Sequence, residues 1–247
     1  MLNHVRAYFL QRPWLFTILL VSVLVRIPFL DDAFLLRGER DILLTGESLL
    51  HTSKDLYQNY LPLQFSGLDQ PSPPLTFYSA AVLDVLFPLR SVFWGRFAFL
   101  MLASLNTLLI YDFIRVFSNK KSTALLTTTL FSLSPGYFHT SMLALEMSLA
   151  FPLLLAGLVV YVSNRRVLGW GLLVTAGLAY NGFRPVVPFL MIYAQVWFWL
   201  EHRSWRRFVQ ECFFIVVVYG LIFGATVQLL DGDIVRSRGA DIAFVNY

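Results

Sequence analysis

The sequence predicts an all-α integral membrane protein, a polytopic bundle of about seven transmembrane helices with a long first external loop carrying interfacial helices. Three observations carry this expectation. Of 247 residues, 57% are hydrophobic, 16% aromatic and only 14% charged, and the mean hydropathy is +0.64. A soluble domain of this length has no means of hiding so much apolar surface. Apolar segments recur along the chain at lengths suited to a bilayer. Finally, the basic residues fall in alternate loops, so the formal charge of +4 reads as cytoplasmic loop bias and not as a nucleic-acid surface.

The first segment, "PWLFTILLVSVLVRIPFL" at 13–30, follows Arg6 and Arg12 in the manner of a signal peptide. No small-x-small cleavage site follows it, so it is expected to remain as the first helix. Further spans are expected near 92–114, 122–138, 141–162, 167–180, 186–200 and 208–230. The fifth and sixth are short and separated by "NGFRP", the pattern of a broken or re-entrant pair. With the N-terminus cytoplasmic, the inner loops hold Lys120, Lys121, Arg165, Arg166, Arg203, Arg206 and Arg207. The outer turns "SPGYFHT" and "NGFRP" hold Arg184 alone. Segment 74–89 is apolar but short and carries Asp84; were it to cross, all three basic loops would move outside. It is therefore placed as a helix at the outer interface, which makes 31–91 one external loop. Cys212 lies in an apolar run and is read as a small buried hydrophobe.

Candidate chemistry concentrates on the outer face. "RGERD" alternates sign where the chain leaves the first helix. Glu39 and Asp41, flanked by Arg37 and Arg40, suit proton abstraction beside a bound anion. "QPSPPLTFY" supplies Pro71, Pro73 and Pro74 as a stiff approach to the interfacial helix, although proline at a helix start explains much of that signal. Glu146 falls inside the fourth span, where it either lines a cavity or makes a helix-packing hydrogen bond. His139, seven residues earlier, shares its side if the helix begins that early. Asp31, Asp32, Asp55 and Asp69 read as solvated loop charges, and Arg26, Arg96, Asp112 and Glu211 as snorkelling side chains near span ends. No Walker loop, dinucleotide fingerprint, HExxH, paired CxxC or nucleophile elbow occurs.

The run "RGERDILLTGESLLHTSKDLYQNYLPLQFSGLDQPSPPLTFY" resembles the first external loop of GT-C glycosyltransferases. The nearest group is the bacterial protein-O-mannosyltransferase and aminoarabinose-transferase-like set. Its acidic pair corresponds to Gly38-Glu39 or to Glu39-Arg40-Asp41, its second element to "TSKDLYQNYLPL", and its "PPL-Y" element to "PSPPLTFY". "WGRFAFLMLASLNTLLIYDFIRVFSNKKSTALLTTTLFSLSP", "SMLALEMSL" and "YNGFRPVVPFL" are similar to later family segments, so the likeness covers nearly the whole chain. Departures are specific. The leading aspartate of the pair has no exact counterpart when Glu39 aligns with its glutamate, so Glu39 or Asp41 must substitute, and Met142 stands where the family has arginine. Family members carry more spans and a second external loop, so the resemblance implies an N-terminal part ending at "VRSRGADIAFVNY".

The resemblance implies a multi-pass cell-membrane enzyme with an extracytoplasmic active site. Its donor would be a polyprenyl-phosphate-linked sugar, and its acceptor a protein, lipid or glycan. Glu39 and Asp41 would take the acceptor's proton, and Arg40, Arg184, Arg236 and Arg238 would hold the lipid phosphate. His139, Glu146, Pro73, Pro74 and Tyr78 would line the site. A divalent metal is compatible with the acidic cluster, although no ligand set is visible. The competing expectations are a transporter or lipid flippase and a non-catalytic membrane scaffold.

Overall fold

The computed structural model describes residues 12–31, 36–62, 65–66, 71–89, 91–118, 120–163 and 165–202, with scattered positions from 205 to 220. Its elements run α1 (Pro13–Leu24), a 3-10 turn (Ile27–Phe29), α2 (Arg37–Thr52), β1 (Phe65–Ser66), β2 (Pro71–Ser72), α3 (Pro74–Asp84) and α4 (Val92–Ser118). Then follow α5 (Lys121–Leu133), α6 (Pro135–Ser141), α7 (Glu146–Val162), α8 (Arg166–Ala179) and α9 (Phe183–His202). The fold is all-α apart from the two-residue antiparallel ladder, which pairs Phe65 with Ser72 and Ser66 with Pro71. The chain divides into two compact units, Met1–Phe183 and Arg184–Tyr247.

The first unit is built on α4. At 27 residues it reaches about 40 Å at 1.5 Å per residue. Among the described residues it is the one helix long and apolar enough to cross a membrane by itself. Helix α1 lies antiparallel to it and is fixed at both ends. Arg12, just before α1, pairs with Asp112 late in α4. At the other end, the Leu30 carbonyl accepts from Arg96 Nη1 near the start of α4 at 3.4 Å. Helices α5, α6 and α7 also pack on α4, and α7 forms a close hairpin with α8. In that hairpin Gly169 is needed, because a Cβ there would lie 2.7 Å from the Tyr161 backbone; small residues let membrane helices approach in this way.

Helix α2 forms because its apolar face repeats at helical spacing, with Glu39, Ile42, Leu43, Gly46 and Leu49 buried. It starts after extended Leu36, whose N–H donates to Glu39 Oε2 at 3.1 Å, and it stops at Ser53 in the left-handed region with φ 58°. Helix α3 opens with Pro74 behind an extended Pro73 cap, the preferred position for proline. The two helices pack through Ile42, Leu43, Leu49, Phe77 and Ala80, with Ala98 and Phe99 of α4 completing the core. Thr76 donates to the Ala179 carbonyl at 3.1 Å, which ties α3 to the end of α8.

The expected spans map unevenly onto these helices. Segment 92–114 is helical as expected and runs on to Ser118. Segment 122–138 stops at Leu133, because Ser134 precedes Pro135 and takes an extended ψ of 136°. Segment 141–162 starts late: α6 and α7 are separate helices bent by 116°. Helix α3 realises the helix expected at 74–89 but ends at Asp84. The seventh segment lies largely outside the described residues.

The α2–α3 contact gives a direct test. A Cβ on Gly46 would stand 2.6 Å from Ala80 Cβ and 3.0 Å from its carbonyl carbon, so Gly46→Val should lower stability by about 1–3 kcal/mol. Gly171, mid-helix with nothing within 4 Å, is the control: Gly171→Ala should be neutral or stabilising by up to about 1 kcal/mol. Equal thermal midpoints for the two variants in detergent would contradict the packing.

Candidate functional site

The start of α2 is organised around one buried ion pair. Glu39 is fully buried and Arg96 is 3% exposed. Arg96 Nε donates to Glu39 Oε1 and Arg96 Nη2 to Glu39 Oε2, each at 2.9 Å, the bidentate geometry a guanidinium favours. Glu39 Oε1 also accepts the Ala144 N–H at 2.9 Å, while Oε2 takes the Leu36 N–H. The four donors fill a carboxylate's accepting capacity. One side chain thus joins the end of α1, the start of α2, the start of α4 and the α6–α7 break. Glu39 is a strut in this arrangement, with its accepting positions filled, and not a group open to a hydroxyl as expected of a proton acceptor.

Asp41 lies about 200° further round the helix. It is partly exposed and makes no hydrogen bond or ion pair among the described residues. Arg40 is exposed, and its guanidinium is likewise unengaged among the described residues. The first turn of α2 therefore presents an adjacent free cation and free carboxylate on a helix whose other face is locked.

A second buried cation closes the other side of α1. Arg26, 1% exposed, donates from Nε to Ser141 Oγ at 2.7 Å, from Nη1 to Ser22 Oγ at 2.7 Å and from Nη2 to the Ser132 carbonyl at 2.7 Å. Its guanidinium carbon stands 4.7 Å from the Phe138 ring centre and 5.3 Å from that of Tyr137, close enough for cation–π attraction. Snorkelling was the simpler expectation for both Arg26 and Arg96. Both are instead fully enclosed and hydrogen-bonded.

The remaining predicted residues scatter. Asp55 is buried and closes the turn after α2 by accepting from the Tyr57 and Asn59 N–H groups at 2.9 and 2.8 Å and from Asn59 Nδ2 at 3.0 Å. Tyr78, on α3 behind buried Pro73 and half-buried Pro74, donates to the Pro62 carbonyl at 2.8 Å. Burial, and then the Asp55 charge, pushes its phenol above the ordinary value, so it stays a neutral donor. Glu146 is the first residue of α7, where the helix dipole favours a carboxylate. The shared side expected for His139 and Glu146 is lost at the break between α6 and α7, and His139 is exposed. Arg184 is half-buried in the second unit. Arg236, Arg238, Asp32 and Asp69 lie outside the described residues. Among the described residues no three metal-ligating side chains cluster. No protein-family model, curated protein or solved structure matches the chain.

Lysine is too narrow to span the Arg26 partners and does not stack on rings as arginine does. Arg26→Lys should therefore lower stability by about 2 kcal/mol, read as a lower thermal midpoint of the detergent-solubilised protein. An unchanged midpoint would sink the clamp.

Proposed function

We propose that the chain is a membrane glycosyltransferase that moves a sugar from a polyprenyl-phosphate donor to an acceptor hydroxyl on the extracytoplasmic side. The observation that carries the proposal is the first turn of α2, where Asp41 and Arg40 stand unengaged beside the anchored Glu39. In the transfer, Asp41 accepts the acceptor's O–H proton as that oxygen forms a bond to the sugar's anomeric carbon. The bond from that carbon to phosphate oxygen breaks, and the polyprenyl phosphate leaves with the electron pair. Arg40 offsets the charge growing on the leaving group. One carboxylate serves if the anomeric configuration inverts.

The multi-pass part of the proposal draws, in addition to α4, on the short apolar helices Pro13–Phe29, Arg166–Ala179 and Phe183–Tyr193 and on the bent α6–α7 pair. Large apolar side chains face outward, including Trp14 at 67%, Leu130 at 64% and Val167 at 88% exposure. Lipid accounts for such a surface better than water does. The basic residues Lys120, Lys121 and Arg165 are exposed, which supports a cytoplasmic N-terminus.

The test uses purified full-length chain with a polyprenyl-phosphate sugar and measures released polyprenyl phosphate. Asp41→Asn should cut turnover at least about a hundredfold, the usual worth of a general base. It should leave the thermal midpoint unchanged, because Asp41 holds no partner among the described residues. Undiminished turnover in Asp41→Asn would remove the proposal.

A further inference from the structure

One hydrogen bond from Arg26, a cavity of about 180 Å³ opens between α4, α5, α6 and α7. Phe131, Tyr137 and Phe151 wall it, and Asn106, Ser141 and Ser148 form its polar edge. None of these residues takes part in the transfer step proposed above.

The edge is rich in acceptors and short of donors. The Tyr137 hydroxyl donates to the Ala103 carbonyl at 2.5 Å. Ser141 Oγ donates to the Phe138 carbonyl at 3.1 Å and already accepts from Arg26, and Ser148 Oγ donates to the Leu143 carbonyl at 3.1 Å. Asn106 is 1% exposed, and its Oδ1 accepts no hydrogen bond. The phenol's proton is committed to Ala103, so it is not offered to the Asn106 amide oxygen. A buried carbonyl without a donor is costly and rare. An occupant that brings a hydroxyl donor would satisfy this oxygen.

The opposite wall is aromatic. Phe131 lies 4.3 Å from Tyr137 and 6.1 Å from Phe151, ring centre to ring centre. The volume falls below the roughly 300 Å³ at which drug-sized sites begin, which limits the occupant to about one ring. A ring with an apolar C–H face and a rim of hydroxyls meets both walls.

We propose that this cavity binds the ring of a neutral monosaccharide, with its hydroxyls donating to Asn106 Oδ1 and Ser148 Oγ. The sugar identity rests on the glycosyltransferase reading, whereas the need for a donor-bearing occupant rests on Asn106 alone.

The experiment is equilibrium dialysis of full-length chain, held in an amine-oxide detergent free of sugar, against radiolabelled methyl α-D-mannopyranoside, methyl α-D-glucopyranoside and their decyl counterparts. Saturable binding is expected to the native chain and to Asp41→Asn, whose transfer is lost, so binding and turnover fail separately. Asn106→Leu removes the acceptor at nearly constant volume and should weaken binding about tenfold, the worth of one neutral hydrogen bond, with a thermal midpoint equal or higher. Phe151→Leu, which removes part of the aromatic wall, should weaken binding too and serves if the first variant folds poorly. Equal binding of methyl and decyl forms points to free sugar, and binding of decyl forms alone to a lipid-borne sugar; both support the site. No saturable binding, or binding untouched by both variants, overturns it and leaves a cavity holding only water.

Discussion

The Glu39–Arg96 pair is the constraint on which the rest of the first unit depends. Neither partner can be buried alone, because an uncompensated charge in the interior costs several kcal/mol. The pair therefore forms only when α2 is docked on the head of α4. The remaining lone pairs of Glu39 are spent on backbone N–H groups at Leu36 and Ala144, so the same event fixes the start of α2 and the α6–α7 break. Arg96 reaches back to the Leu30 carbonyl, which fixes the end of α1. Chain segments spread from Leu30 to Ala144 are thereby held at one point.

That anchoring gives the first turn of α2 its two-sided character. Glu39 and Asp41 are two residues apart, yet one is enclosed by four donors and the other stands partly exposed without a partner. A carboxylate that is to accept a proton from a bound hydroxyl needs a free lone pair and a fixed position. Asp41 takes its position from the neighbour that has no free lone pair left.

Helix locations were legible because apolar periodicity is a local property. The face of α2, the proline start of α3 and the long run of α4 can each be read from residue order. What was not legible came from tertiary partners. Arg26 and Arg96 sit near the ends of apolar runs, where snorkelling and burial look alike in one dimension. A signal for Arg96 did exist: Glu39 occupies the apolar face shared by Ile42, Leu43 and Leu49, and a charge on such a face requires a counter-charge. The break before α7 was hidden for a related reason. "SMLALEMSL" has ordinary helix-forming character, and the Ala144 N–H leaves the helical pattern because the Glu39 carboxylate claims it. The same break puts Glu146 at a helix start instead of within a continuous helix. The break after α5, by contrast, was written in "SPG" and was passed over in favour of a longer apolar span.

The most direct measurement is a double-mutant cycle on the pair, with Glu39→Gln, Arg96→Met and the double variant compared by reversible unfolding in detergent. Each single change strands its partner and should cost about 3–5 kcal/mol. The double change strands neither, so it should cost less than the sum, with a coupling above about 2 kcal/mol. Additive losses would mean that the two residues act independently, and α2 would then be held to α4 by its apolar face alone.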